Sequence, residues 1–486
     1  MGRLVVIGGG AAGMSAASAA RRADPDLDVV VCEAGGFAAY GMCGIPYYLG
    51  GMVPEPENLL AYPPATFREK RHIDLRLHTR VTGIDPGTRQ VRLAAGQRGA
   101  PSLEPPSPES LGRESLGPES LALESLDYDA LVVASGANPV RPPVPGLAER
   151  RVFTIRSLDE AIELRQLLDS GTVRHAVVVG AGYIGLETAE ALVSAGLDVD
   201  VVEALPRVLA TVDEPVATLV QAELERHTRL HLGTRLEAVK RDGAAGSGLI
   251  AVVDGTEIAT DLVVIAVGVR PATDLLIEAG AGHLPDGSVV VDEGMRTSLP
   301  DVYAAGDAVA LPHLVLGRPA WVPLGPAANK TGRVAGTVAA GGSASFKGIV
   351  GTVAVKVFDL EVASTGLGLA EARAAGLDAV ATDEVSRSRA KYYPGSSPLH
   401  VRLVHTREGR LLGGQFAGRE GAAKRVDVLA TALYAGLTVA DLAALDLSYA
   451  PPFAPVYDPV LAAAMKAARA PVVIAGGSHE PAPTGR

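Results

Sequence analysis

The chain has 486 residues, 48% of them hydrophobic, with 56 glycines, two cysteines, a net charge of -11 and a pI near 5.5. A chain this long exceeds one core, so glycine-punctuated α/β units in about two to four domains are expected rather than a fibrous or disordered polymer. The acidic balance excludes nucleic acid as a partner, because no basic surplus displaces counterions from phosphates. Two cysteines without paired or metal-type spacing exclude a disulfide scaffold or structural zinc and point to a reducing, cytoplasmic setting.

Leu4 to Ile7 reads as a buried parallel strand and Met14 to Arg22 as an Ala-rich helix. With Arg3 in front, this start superficially resembles a signal peptide. The strand, however, runs straight into a glycine turn with its own purpose, and no stretch has the roughly 18 apolar residues of a membrane span. The turn is Gly8-x-Gly10-Ala11-x-Gly13. Its glycines let backbone approach a pyrophosphate, the helix N-terminus faces that anion, and an acid closing the next strand takes ribose hydroxyls. Val29 to Cys32 is that strand and Glu33, twenty residues past Gly13, is that acid. Cys32 itself reads as strand packing.

Cys43 follows in Gly41-Met42-Cys43-Gly44-Ile45-Pro46-Tyr47-Tyr48-Leu49-Gly50-Gly51, where a helix can begin. The thiolate is the nucleophilic form of cysteine, and a helix N-terminus lowers thiol pKa, so Cys43 suits a redox-active role. Most free cysteines are instead small buried hydrophobes. On the residues alone the two readings stand level.

Residues 96–126 break the pattern with Pro105-Pro106-Ser107-Pro108 and repeats such as Glu109-Ser110-Leu111-Gly112 and Glu114-Ser115-Leu116-Gly117. This low-complexity stretch reads as a flexible surface insertion. Strand pattern resumes over Ala130 to Val133 and ends on Ser135-Gly136, before a proline-rich boundary at 139–146. A second fingerprint then opens: strand Ala176 to Val179, turn Gly180-x-Gly182-Tyr183-Ile184-Gly185, helix Leu186 to Ala195, strand Val199 to Val202, and Glu203 eighteen residues past Gly185. Two fingerprints mean two dinucleotides, and an acid at the second ribose position favours NADH over NADPH, with Arg207 nearby to soften the preference. Val263 to Gly268 closes this unit as a buried strand, and Asp301 to Ala305 leads into a Gly306-Asp307 turn. From 346 the glycine fingerprints stop. Alternation such as Leu399-His400-Val401-Arg402-Leu403-Val404 predicts an antiparallel sheet, with helices at 421–435 and 458–468. The histidines show no ligand spacing and no metal site is expected.

Two fingerprints, a redox-type cysteine ten residues past the first ribose acid and a late Ala-Gly-Asp turn together resemble the flavoprotein pyridine nucleotide-disulfide oxidoreductases. The resemblance implies an α/β protein with two Rossmann-like domains and a C-terminal α+β dimerisation domain. FAD would lie on 1–147 with 270–345, NAD(P)H on 148–269, the homodimer interface on 346–470, and 471–486 would be a flexible tail. It implies FAD contacts from Gly8, Gly10, Ala11, Gly13, Glu33, Val81, Ser135, Gly136, Gly306 and Asp307. Gly180, Gly182, Tyr183, Ile184, Gly185, Glu203 and Gly268 would hold the nicotinamide nucleotide, with Tyr183 shielding the flavin and Glu187 an acid near it.

Most of the family carries two cysteines four apart, whereas Cys43 stands alone, which resembles the single-cysteine branch of coenzyme A-disulfide reductases, persulfide reductases, NADH oxidases and peroxidases. The Cys43 stretch, Tyr392-Tyr393-Pro394-Gly395, Gly421 to Val428 and Tyr449-Ala450-Pro451-Pro452-Phe453 look like coenzyme A-disulfide reductase. Oxidases and peroxidases usually place a histidine in the first glycine turn, and Gly9-Gly10-Ala11-Ala12 has none. The resemblance implies substrate contacts from Ser15, Arg22, Met42, Asn329 and Arg71, the last replacing the usual lysine as a phosphate-binding cation. Ala39, Met42, Ala19 and Tyr457 stand where the family carries polar Ser, Asn, Gln and Lys. The expected activity is NAD(P)H-dependent reduction of a small disulfide or persulfide through a Cys43 mixed disulfide, with Tyr392 and Tyr449, or Tyr393, as proton donors from the partner subunit. An NADH oxidase using a Cys43 sulfenate and a flavin-containing redox sensor are the alternatives.

Overall fold

The computed structural model describes residues 2–94, 124–242 and 248–469. They form two compact units that divide between Gly351 and Thr352. Most of the 96–126 insertion and the 471–486 tail lie outside the described residues. The insertion's last two residues are structured: Ser125–Asp127 is a strand on Gln90–Leu93, with Leu126 buried opposite Val91. The Glu-Ser-Leu repeat conceals that boundary, because its final leucine is apolar for the sheet's sake.

The first unit contains two parallel sheets made by the same rule. Its elements are β1 (Arg3–Ile7), α1 (Ala11–Ala23), β2 (Asp28–Cys32), α2 (Ile45–Leu49), β3 (Asp74–Arg76), β4 (Ala130–Val133), β5 (Val152–Phe153), β6 (His175–Val179), α3 (Tyr183–Ser194), β7 (Asp198–Glu203), β8 (Arg229–Leu232), β9 (Leu262–Ile265), β10 (Val302–Ala304) and α4 (Gly325–Ala339). One sheet has the order β10-β4-β1-β2-β3 and the other β8-β7-β6-β9-β5. Leu4 to Val6, Val29 to Val31 and Leu131 to Val133 are all buried, which is why they read as unbroken apolar runs rather than alternations. Each such side chain contributes about 1.5–3 kcal/mol through burial.

α1 and α3 start three residues earlier than the apolar pattern suggests, directly after Gly10 and Gly182. The first-turn N–H groups must face an anion, so the last glycine of each fingerprint belongs inside its helix. α4 lies against α1 at backbone distance. A Cβ on Gly332 or Gly336 would sit 2.2 or 2.0 Å from the carbonyl oxygen of Ala12 or Ala16.

In β7 a single acid interrupts the apolar run. Asp200 is 3% exposed and accepts from His175 Nε2 and His231 Nε2 at 2.6 Å each and from Arg229 at 2.8 Å. The strand ends of β6 and β8 are thereby tied to β7.

The second unit is an antiparallel sheet of β11 (Val353–Val357), β12 (Leu360–Gly366), β13 (Ala379–Arg387), β14 (Pro398–Thr406) and β15 (Leu411–Gly418), in the order β11-β12-β15-β14-β13. Leu399, Val401 and Leu403 are fully buried while His400 and Arg402 are not, as the alternation predicts. α5 (Ala422–Ala435) packs on β12 and β15, and α6 (Pro459–Arg469) on β13 and β14.

Candidate active site

The two glycine turns have matching geometry. Gly8 has φ +100° and Gly180 +105°, a left-handed region that disfavours side chains. A Cβ on Gly13 would fall 1.8 Å from the Gly8 carbonyl oxygen, and one on Gly185 1.9 Å from that of Gly180. Gly10 and Gly182, by contrast, face open space. Ala11 and Tyr183 are the first residues of the two helices, and Ile184 is exposed beside Tyr183. The acids close on these turns. Glu33 accepts from Gly9 N at 2.6 Å and Gly35 N at 2.7 Å, and Glu203 from Ala181 N at 2.7 Å and Leu205 N at 2.8 Å.

The Gly306–Asp307 turn meets the first cradle. Gly306 has φ +76°, and a Cβ there would press on Ala12 at 2.8 Å. Thr331 Oγ1 accepts from Gly306 N at 3.1 Å, and the Trp321 indole donates to the Asp307 carbonyl at 2.7 Å. Burial raises the Asp307 carboxyl above its ordinary pKa, with the Arg156 guanidinium opposing, and that carboxyl makes no hydrogen bond among the described residues. A half-buried acceptor without a donor and an open glycine cradle fit a dinucleotide bearing hydroxyls and a pyrophosphate. Ser135 donates to the Ala272 carbonyl at 2.6 Å, and Gly136 has φ +73°, where an added Cβ would lie 3.2 Å from the Arg156 guanidinium. Val81 is buried two residues past Thr79, whose N–H bonds the Glu33 carbonyl at 2.7 Å. Gly268 has φ +106° over open space.

Cys43 sits in a single turn, Met42–Gly44, leading into the five-residue α2. It is free and exposed, whereas Cys32 is free and buried in β2, where desolvation pushes its thiol up to about 11. The expected acidification of Cys43 by a helix N-terminus is corrected. Desolvation by the packed atoms around it, then Glu187 and Asp307, raise the thiol above its ordinary pKa, and only its own backbone N–H opposes them. So short a helix cannot outweigh desolvation joined by two carboxyls.

A strap holds the cysteine loop. Gly41 N donates to the Leu59 carbonyl at 2.8 Å and Ala61 N to that of Ala39 at 2.7 Å, and this strap continues into Tyr62. Arg71 lies 4.4 Å from the Tyr62 ring centre and 4.9 Å from that of Phe67, and donates to Ser18 Oγ at 2.8 Å. Ser15 donates to Asn329 at 2.9 Å. Ser15, Ser18 and Arg22 recur at helical spacing on α1, so two of the five expected substrate contacts, Ser15 and Arg22, fall along one helix face, and Ser18 on that face bonds a third, Arg71. Arg22 is exposed there. Met42 points its sulfur toward Arg156 at 4.0 Å. Sequence reading missed Arg156 and Tyr62, since both lie in irregular segments where no spacing marks a role.

In the second unit the Tyr392 and Tyr449 hydroxyls hydrogen-bond each other, which raises Tyr449 above its ordinary pKa, and Arg389 lies 5.8 Å from the Tyr393 ring centre. Tyr392, Tyr449, Phe453 and Tyr457 are all exposed. Among the described residues, no group of three or more His, Cys, Asp or Glu could hold a metal ion, and no helix is long and apolar enough to cross a membrane.

Two linked dinucleotide cradles with one exposed cysteine beside the first define a pyridine nucleotide-dependent flavoprotein oxidoreductase. The chain belongs to the pyridine nucleotide-disulphide oxidoreductase family: residues 2–332 match the family's model and 352–459 that of its dimerisation domain. Its cofactors are FAD and NAD(P)H. It is 37% identical to the NAD(P)H sulfur oxidoreductase (CoA-dependent) of Pyrococcus abyssi, over 94% of this chain and 96% of that one. It is 31% identical to the NADH oxidase of Methanocaldococcus jannaschii, over 95% and 98%. Among solved structures, the NAD-dependent persulfide reductase of A. fulgidus matches with a TM-score of 0.86 and 38% identity, covering 95% of this chain and 82% of that one.

Proposed function

We propose that the protein reduces a small disulfide or persulfide, of coenzyme A or a related thiol, with NAD(P)H as donor and Cys43 as the exchanging sulfur. The observation that carries this reading is the exposed, unpaired Cys43 on a loop strapped to the Tyr62–Arg71 segment, beside an α1 face lined by Ser15, Ser18 and Arg22. A guanidinium held against the Tyr62 and Phe67 rings suits an anionic handle on the substrate. The coenzyme A-dependent sulfur oxidoreductase and the persulfide reductase described above support the substrate class.

The Gly8–Gly13 turn, Glu33, Ser135, Gly136, Val81, Gly306 and Asp307 would hold FAD. Gly180–Gly185, Glu203 and Gly268 would hold the nicotinamide nucleotide. Residues 1–147 with 270–345, 148–269 and 346–470 would serve as the FAD, NAD(P)H and dimerisation domains. Bound FAD would supply a two-electron path from NAD(P)H to the Cys43 sulfur. Cys43 as thiolate attacks the substrate disulfide, forming a mixed disulfide and expelling one thiolate. Arg71 orients the anionic handle so that the scissile bond faces the sulfur. Tyr392 and Tyr449 of a second copy would protonate leaving thiolates in a homodimer, where their exposed hydroxyl pair is available.

The test is to purify the protein, identify by mass spectrometry any thiol attached to Cys43, and follow NADH oxidation with that compound's disulfide. Disulfide-dependent turnover is expected. NADH oxidation matched by oxygen consumption and indifferent to disulfide would contradict the proposal and favour oxidase activity through a sulfenate.

A further inference from the structure

Tyr392 and Tyr449 stand on two irregular segments of the second unit, neither of them in a helix or a strand, yet their hydroxyls meet. The two segments pass each other in opposite directions. Ala390, two residues before Tyr392, donates its N–H at 3.2 Å to the carbonyl of Pro451, two residues after Tyr449. Ser388 and Phe453, two residues further from the tyrosines, are joined by one side chain. Contacts of 388 with 453, 390 with 451 and 392 with 449 thus step along both segments together. A slip of one residue would move one segment by up to about 3.5 Å, enough to break a hydroxyl–hydroxyl hydrogen bond.

The joining side chain is Arg425, in the first turn of α5. Its Nη2 donates to the Ser388 carbonyl at 2.9 Å and the Phe453 carbonyl at 3.1 Å, its Nε to Asp458 at 2.8 Å and its Nη1 to the Gly421 carbonyl at 3.3 Å. Both side chains of the Arg425–Asp458 pair are only 11% exposed. Asp458 is fixed in turn, because its other oxygen accepts from Val460 N at 2.9 Å and so caps α6. The sequence shows why a side chain is needed here. Pro451 and Pro452 carry no N–H, so this stretch offers carbonyls without donors, and the guanidinium supplies what the backbone lacks.

We propose, resting on the reading of Tyr392 and Tyr449 as proton donors, that Arg425 is the positioning residue of that pair: holding the Ser388 and Phe453 carbonyls on one nitrogen, anchored to Asp458, it sets the register in which the two hydroxyls meet. Arg425 itself touches none of the reacting atoms. When the Cys43 thiolate breaks the substrate S–S bond and forms the mixed disulfide, the expelled thiolate takes a proton from the tyrosine pair and becomes a free thiol. The tyrosinate left behind regains a proton from water, so this step needs no oxidant or reductant. Arg425 contributes geometry rather than charge. A lysine would keep the charge but present a single nitrogen where the guanidinium offers a planar fork of donors.

The test compares two substrates in the full-length holoenzyme. Coenzyme A disulfide expels a basic thiolate that needs a proton, whereas dithiobis(nitrobenzoate) expels an acidic aromatic thiolate that leaves without one. The readout is the ratio of single-turnover thiol release from the first to that from the second. In Arg425→Lys this ratio should fall about 100-fold, and it should fall as far in Tyr392→Phe/Tyr449→Phe. Adding Arg425→Lys to the two Phe substitutions should lower it no further. Should Arg425→Lys fail to fold, Asp458→Asn, which still caps α6 but withdraws the anchoring charge, should lower the ratio about tenfold. A general loss of structure would slow both substrates together and leave the ratio unmoved. That result, or a further fall when Arg425→Lys is added to the Phe substitutions, overturns the role of Arg425. A native ratio in Tyr392→Phe/Tyr449→Phe would instead sink the proton-donor reading, and the positioning role with it.

Discussion

Single residues decide whether each cradle can form and what it can hold. Gly13 and Gly10 separate the two requirements. In Gly13→Ala the new methyl would collide with the Gly8 carbonyl at 1.8 Å, backbone against backbone. A loss of about 3 kcal/mol in thermal stability is expected, with little flavin retained. In Gly10→Ala the methyl points into open space, so the melting temperature of the flavin-free protein should hardly change while flavin absorbance per chain falls. Equal melting losses in both variants would show that the open space has no bearing on the cofactor. Glu203 argues for cofactor choice in the same way. Its carboxylate, bonded to Ala181 and Leu205, would stand at the second ribose position and repel a 2′-phosphate. Native kcat/KM should favour NADH, and Glu203→Arg should reverse the ratio.

At the scale of elements, the two strand-turn-helix-strand units were legible because each carries its own complete code in about thirty consecutive residues. What escaped is what sequence distance hides. Arg156 acts on Asp307 from a loop with no spacing signal, and the strand that ends the insertion hides Leu126 in a repeat. The thiol's acidity was misjudged for a related reason: proximity to a helix start is visible in sequence, but its length and the carboxyls across from it are not. Asp200 was equally hidden inside an apolar strand. Desolvation opposes its ionisation, yet hydrogen bonds from Arg229, His231 and His175 hold its carboxyl down to about 2. The unfolded value is about 3.9, so this contribution is fully present above that pH and is lost as pH falls through about 2. Asp200→Asn should cost about 3 kcal/mol at neutral pH, because Arg229 loses its counter-charge and His175 and His231 lose a carboxylate acceptor. Urea unfolding of both proteins at pH 7 and pH 3 measures it, and the difference should shrink at the lower pH.

For the whole molecule, the exposed aromatic residues of the second unit bear on assembly. Tyr392, Tyr449, Phe453 and Tyr457 form more exposed apolar surface than a solitary unit needs, and the chain matches a dimerisation domain over 352–459. Light scattering should give twice the chain mass of 49.8 kDa, and Phe453→Asp should shift it toward one chain. A single-chain mass for the native protein would remove the partner's tyrosines from the mechanism. The account as a whole rests on electrons leaving through one sulfur. The most direct measurement is NADH-driven thiol release from a disulfide, compared between the native protein and Cys43→Ser at equal flavin content. The account predicts release by the native protein and none above background by Cys43→Ser. Equal release by both would contradict it.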